Sequence, residues 1–421
     1  MPARHMPVRP DLLQLRHQAK DLLRSVRRGD PAAIADLTAH HPDDVDPAAA
    51  RLADAQIALA RSYGLTSWPR LVLACRMIDA IWKDDVTTVR TLVLKHPALL
   101  HEDARGVKGN WGPPMSYAAN LGRDRIIGML RDLGADDVQF AFERAVLQGR
   151  LDTARLLASM GARPMRDSIM GPAEALSGPG MSYLLELGAE ISDEHGDRFG
   201  PVAMVLETYA RNPVGKHQCL ELLAEHGIEL PDTPPMALHR GRIDLLERHL
   251  ERDSALVTRT FTHQEIWPPS LGCHADESLA LHGTPLGGTT LLHIAIDYDE
   301  LEIAHWLFER GAQVDARATT DSDGFGGHTP LFCAVVSQVH RARRANDHTY
   351  ARLLLDRGAN PNAVASLRKR LPFTDDDSLH EYRNVTPLAW GQRFHDQAWV
   401  STAAMRLIAE RGGRMGYDSD A

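Results

Sequence analysis

The sequence predicts an all-α protein: helix pairs packed in file, with extra helices at the N-terminal end and long loops between some pairs. Three observations predict it. A phrase of helix start, polar turn, second helix, glycine stop and short extended tail recurs along the chain, never twice alike. The apolar residues within each phrase fall at helical spacing. Aromatic residues make up only 6 % of a chain that is 43 % hydrophobic, so burial falls to Leu, Ala, Ile and Val, which suit thin layers of packed helices.

From the N-terminus, MPARHMPVRP has no apolar signal core, and residues 1–9 are set aside from the fold. Residues 12–42 read as two amphipathic helices and 51–82 as helix, turn and helix. Together 10–70 form an expected helical cap, since the end of a stack must show water a polar face. The fullest phrase is GGTTLLHIAIDYDELEIAHWLFERGAQVDAR, residues 287–317. Thr290 stands at a helix N-cap, its hydroxyl placed to accept a first-turn N–H. Leu292, Ile294 and Ala295 begin a short helix, Asp297 to Glu300 turn, and Leu301, Ile303, Ala304 and Leu307 mark one apolar face. Gly311 supplies the left-handed residue that stops it. A helix pair with one apolar face cannot bury that face alone, and stacking against its neighbours does so.

The stop recurs at Gly134, Gly161, Gly188, Gly227, Gly358 and Gly412, and the mid-phrase turn as RRGD, NLGR, LQGR and HRGR. The start recurs as Thr329-Pro330-Leu331 and Thr386-Pro387-Leu388, with proline at the first helical position. These residues resemble the ankyrin repeat, above all TTLLHIA (289–295), TPLFCA (329–334), TPLAW (386–390) and LLLDRGANPNA (353–363). The resemblance implies an ankyrin-repeat solenoid of about ten stacked helix pairs. It is strong over 285–415, degenerate over 71–257 and faint over 10–70. The family period is about 33 residues. Here Gly134, Gly161 and Gly188 stand 27 apart, while Gly311 to Gly358 is 47 and Gly358 to Gly412 is 54. The expected divisions are therefore the cap at 10–70, compact repeats at 71–257, an inserted finger at 258–288, and repeats with long loops at 289–415. In the family's box His293 hydrogen-bonds within and between repeats.

In such a stack the loops project on one side, so long insertions line up there, and long loops are usually functional or disordered. Four qualify: 101–114, 258–288, 315–328 and 362–384. The finger at 258–288 carries His263, Glu265, Trp267, Cys273, His274, Asp276, Glu277 and His282. Its Gly and Pro argue against a helix and its aromatics against plain disorder. Imidazole and carboxylate suit zinc or iron, but the finger has no tight ligand spacing, and its histidines read as hydrogen-bonded loop residues. DSDGFGG (321–327), with Phe325, lacks the closing Glu of a calcium loop and reads as a turn. Trp111 in GNWGPP and Trp267 before two prolines are candidate interface anchors. Tyr117 and Tyr298 follow helix starts, where they could line a groove; Trp390 reads as core. The candidate ligand-binding residues are thus Trp111, Tyr117, His263, Glu265, Trp267, His274, Asp276, His282, Tyr298 and Phe325, with no catalytic residue and no metal ligand assigned.

The 421 residues suggest two or three ordinary domains, and the net charge of −9 disfavours nonspecific nucleic-acid binding. Two basic clusters, His340 to Arg344 and Arg368-Lys369-Arg370, lie near Asp347 and Asp375 to Asp377 and read as solvated surface. Four cysteines without close pairing indicate free thiols in a reducing cytoplasm, and no apolar run spans a membrane. An Arg- and Ala-rich chain with only six lysines points to a bacterium. Signatures of hydrolases, P-loops, dinucleotide folds and zinc peptidases are absent; GPGMS (178–182) reads as a loop, and Cys273 beside His274 lacks the geometry of a dyad. The expected function is a monomeric, non-enzymatic, cofactor-free scaffold binding a partner protein on its loop face. The second reading is a site under the 258–288 finger that binds, sequesters or hydrolyses a small molecule such as a toxin or antibiotic. The third is a structural adaptor with disordered insertions.

Overall fold

The computed structural model describes residues 4–343, 346–372, 374 and 376–416. Arg344 and Asp375, within the clusters named above, lie outside the described residues, as do 1–3, 345, 373 and 417–421. The chain divides into two compact units, Met1–Pro164 and Met165–Ala421. This boundary follows packing and coincides with none of the divisions drawn from repeat style.

In the first unit, α1 (Leu12–Arg27), α2 (Pro31–His40) and α3 (Leu52–Ser62) pack on one another. Asp11 and Asp30 cap α1 and α2 by accepting first-turn N–H groups. Leu15, Ala19, Leu59, Leu65 and Leu71 form a core with Met6. The first residues thus belong to the fold, contrary to their being set aside. Met6 is buried there, Arg4 pairs with Asp36 at 2.7 Å, and the Val8 carbonyl accepts from the Tyr117 hydroxyl. Three helix pairs follow: α4 (Trp68–Trp82) with α5 (Val86–Lys95), α6 (Pro114–Asn120) with α7 (Asp124–Asp132), and α8 (Val138–Leu147) with α9 (Leu151–Ser159). α4 packs on α6 and α6 on α8, while α5 packs on α7. First helices touch first helices, as burial of a repeated apolar face requires.

The second unit holds six pairs: α10 (Met170–Ala175) with α11 (Gly178–Glu186), α12 (Gly200–Glu207) with α13 (Pro213–Glu225), α14 (Pro234–His239) with α15 (Ile243–Arg252), then, after the one-turn α16 (His263–Ile266), α17 (Leu291–Asp297) with α18 (Leu301–Glu309), α19 (Pro330–Val335) with α21 (Thr349–Leu355) around α20 (Gln338–Arg343), and α22 (Pro387–Arg393) with α23 (Thr402–Glu410). α17 packs on α19 and α19 on α22, with α21 on α23. The GPGMS stretch is a correction: it opens α11, with the Ser177 hydroxyl accepting from Gly180 N at 3.3 Å.

In several pairs the turn between the helices carries one left-handed residue. Gly122, Gly149 and Gly241 supply it, and Asp84 and Asp299 take the same role at φ 55° and 62°. Thr386 caps α22 by accepting from the Ala389 N–H, but the Thr290 hydroxyl accepts no cap bond from α17. Its hydroxyl lies 3.0 Å from His293 Nδ1, and His293 Nε2 reaches the His328 carbonyl at 3.3 Å. The imidazole therefore ties the turn of one repeat to the next.

Two small antiparallel ribbons interrupt the helices. β1 (Thr260–Phe261) pairs with β2 (Thr289–Thr290), closing the base of the finger. β3 (Ala365–Lys369) pairs with β4 (His380–Val385), setting Leu367 opposite Tyr382 and Lys369 opposite His380. The loop at 315–328 joins this hairpin through Gly326, whose N–H donates to the Ser366 carbonyl at 2.7 Å.

Candidate ligand pocket

The finger owes its order to burial. Trp267 is only 2 % exposed; its indole N–H lies 2.9 Å from the Tyr298 hydroxyl, which donates to the Leu206 carbonyl at 2.7 Å. His263 and His282 flank the indole at ring distances of 4.8 and 5.4 Å. Below Tyr298 lie two buried cations, Arg211 on Asp297 at 2.9 Å and Lys216 on Glu300 at 2.9 Å, both over the phenol ring. Further along, the Thr284 hydroxyl donates to the Val336 carbonyl at 2.8 Å and accepts from the Trp390 indole at 3.0 Å. Trp267 and Tyr298 are thus core residues that pin the finger, with no face left for a partner.

Three insertions, 258–288, 315–328 and the β3–β4 hairpin, then enclose a cavity of about 540 Å³, within the usual size range of small-ligand sites. Thr262, His263, Asp276, Glu277 and His282 line it from the finger, Thr319, Phe325 and His328 from the second loop, and Leu367, Lys369 and Leu379 from the hairpin. Gly288 makes the closure possible. At φ +75° its backbone accepts from Thr319 N at 2.8 Å, and a Cβ there would stand 1.9 Å from the Thr319 hydroxyl.

The charges around the cavity are mostly matched. Arg368 bonds Asp321 at 2.6 Å and Asp323 at 3.1 Å, and Arg370 bonds Asp377 at 3.2 Å. Arg368 and Arg383 cover the buried Phe325 ring. Lys369 is the exception and corrects the reading of its cluster as solvated surface. It is 4 % exposed, because β3 alternates and turns Ala365, Leu367 and Lys369 inward. Its ammonium donates to the Ala280 carbonyl at 3.0 Å and makes no ion pair among the described residues. Burial drives its pKa down from 10.5 to about 8, with Glu277 and Asp297 opposing. His282, 1 % exposed, has no well-formed hydrogen bond at either ring nitrogen among the described residues, and burial holds it neutral, its pKa well below 6.5.

Of the residues expected to bind, the structure brings His263, Asp276, His282 and Phe325 to this cavity. Glu265 instead closes a capping box with Thr262 and pairs with Arg259 at 2.7 Å. His274 turns to Glu207 at 2.9 Å. Trp111 and Tyr117 lie in the first unit, where the half-buried Trp111 leans on the buried Tyr117 at 4.7 Å. Lys369, Glu277, Thr319 and Leu379 also line the cavity and were not among the candidates; the alternation of β3 was the available signal for Lys369.

Among the described residues no three His, Cys, Asp or Glu side chains gather as metal ligands would, and no helix is long and apolar enough to cross a membrane. The Cys273 thiol is buried and its pKa raised by desolvation, while its neighbour His274 is held by Glu207.

These features define a helical-repeat protein whose inserted loops build a pocket. The ankyrin-repeat family model matches residues 287–319 and 326–366, so that stretch is similar to the ankyrin repeat, a general protein–protein interaction module. No curated protein matches the chain.

Proposed function

We propose that the chain is a non-enzymatic recognition protein and that the loops of its C-terminal repeats are the binding surface. The observation that supports this best is the convergence of three insertions, distant in sequence, on one cavity holding an ammonium with no ion pair among the described residues. Loops that served only as linkers would have no reason to bury Trp267, Phe325 and Lys369 together. A partner protein would reach the pocket with a protruding segment, and the acid-bearing rim at Asp276, Asp321 and Asp323 would steer a cationic surface towards it. The volume of the cavity and the burial of Trp267 favour a second reading, in which a small molecule is held or sequestered under the finger. The ten-pair solenoid, the degenerate early repeats and the bacterial origin belong to the same proposal. So does a monomer in a reducing cytoplasm, in keeping with four buried free cysteines. Affinity capture from lysate, followed by mass spectrometry of proteins and metabolites, tests the proposal. Thr319→Trp, which fills the cavity from an exposed position, should release what the unaltered chain retains. Equal retention by both proteins refutes the pocket as the binding surface.

A further inference from the structure

We propose that the pocket takes a carboxylate, seated on the Lys369 ammonium with the His282 imidazole as second partner; this rests on the pocket being the binding surface. Lys369 has three N–H donors and uses one, on the Ala280 carbonyl. The other two cations of the cavity wall, Arg368 and Arg370, are engaged by Asp321, Asp323 and Asp377, so neither can answer a ligand anion without breaking an ion pair. A buried ammonium without a counterion is costly, and a bound anion supplies what the fold withholds.

His282 adds a second, independent observation. Its ring is buried in the same wall, and neither nitrogen meets a well-formed hydrogen bond among the described residues, the Thr284 backbone being the polar group beside it. A neutral imidazole carries one N–H and one lone pair. The N–H suits the second carboxylate oxygen, and the lone pair suits a ligand hydroxyl or amide. The charge of the ligand head follows from the rest of the wall. Glu277 has one oxygen occupied by the Gly287 N–H and one without a hydrogen bond, and Asp276 and Asp321 stand nearby. With Asp321 already matched to Arg368, two carboxylates, Glu277 and Asp276, face the Lys369 ammonium; they repel a dianion such as a phosphate monoester, and tolerate a monoanion hydrogen-bonded at two points. The body of the ligand meets Phe325, Leu367, Leu379 and Pro285, an apolar surface suited to an aromatic or branched aliphatic group. The same carboxylate chemistry is offered by a free organic acid and by the C-terminus of a partner chain.

Calorimetric titration of the full chain with benzoate and with benzamide, which differ in charge but little in shape, tests the assignment. Benzoate should bind at least about tenfold more tightly than benzamide. Lys369→Met should abolish that preference. Equal affinities, or no binding of either probe, overturn the carboxylate assignment; the first leaves the pocket reading standing. Thr319→Trp separates the two claims, since benzoate binding unaffected by filling the cavity overturns the pocket itself. A short peptide ending in phenylalanine, with its C-terminus free or amidated, distinguishes the sources. Preference for the free acid above benzoate assigns the site to a chain terminus, and preference for benzoate assigns it to a free acid. The wild-type comparison of benzoate with benzamide stands even if the Lys369 variant fails to fold.

Discussion

Lys369→Met should change the stability of the protein in opposite directions at neutral and at alkaline pH. The lysine lies inside the β3–β4 hairpin wall with a pKa lowered from 10.5 to about 8, chiefly by desolvation. That gap corresponds to about 3 kcal/mol by which the fold disfavours the charged form. Below pH 8 the side chain is charged in both the folded and unfolded chains, and the whole cost is present. Between pH 8 and 10.5 the unfolded chain keeps a proton that the folded chain has released, so stability rises with pH; above 10.5 both are neutral. Methionine removes the charge at similar length, but it also removes the donor to the Ala280 carbonyl, worth about 1–2 kcal/mol. The variant should therefore be more stable than wild type by about 1–2 kcal/mol at pH 7 and less stable by a similar amount at pH 10.5. Urea unfolding of both proteins, followed by circular dichroism across this range, reads the difference directly. Other alkaline titrations, including that of the buried Lys216, cancel between the two proteins. A stability difference that does not vary with pH would refute the claim that Lys369 is an uncompensated buried charge.

Trp267→Ala should destabilise the second unit by about 3–5 kcal/mol, because the indole fills the core between His263, His282 and Tyr298; limited proteolysis should then cut within 268–281. Asp84→Gly should stabilise the first unit by about 0.5–1 kcal/mol, since glycine accepts the left-handed turn without strain and the substitution removes a buried carboxylate oxygen without a partner; a lower thermal midpoint would contradict it. Acid should weaken the second unit as pH falls from 6.5 towards 4. His293 and His328 are held neutral by burial, their pKa values depressed to about 3 and about 4, so over that window the unfolded chain binds the extra protons. The shifts correspond to about 5 and about 3 kcal/mol present above pH 6.5, of which about 3 kcal/mol each is lost by pH 4, and a urea midpoint constant from pH 6.5 to 4.5 would count against it.

The repeat was legible in the sequence because its cause is local. A helix with one apolar face writes that face at helical spacing, and a stop that needs positive φ writes a glycine. The same logic hid Asp84 and Asp299, since aspartate in a polar turn looks like any exposed acid. The insertions were legible only as insertions. The partners that order 258–288 lie in 315–328, at Val336, at Trp390 and in β3, and no local periodicity encodes such contacts. Residue type alone also misled where local partners absorb a polar group. Glu265 and His274 look as ligand-like as His263 and His282, but a capping box and Glu207 satisfy them.

What sets Lys369 apart from the other buried cations of these loops is the lack of an ion pair among the described residues, together with its place in the cavity wall. Arg211 and Lys216 are as deeply buried as Lys369, and each has its own carboxylate within ion-pair distance. Those carboxylates oppose the desolvation, although burial still lowers the Lys216 pKa, and Arg211 also reaches the Leu281 carbonyl of the finger at 3.4 Å. Lys369 carries the same desolvation without that offset, in a wall that faces a cavity rather than the core. A hydrophobic residue in its place would fit the alternation of β3 and stabilise the hairpin at neutral pH. A side chain that lowers stability where a simpler one would raise it is explained by what it contacts outside the chain. That reasoning makes the cavity, more than the repeats that carry it, the part of this molecule from which its ligand can be read.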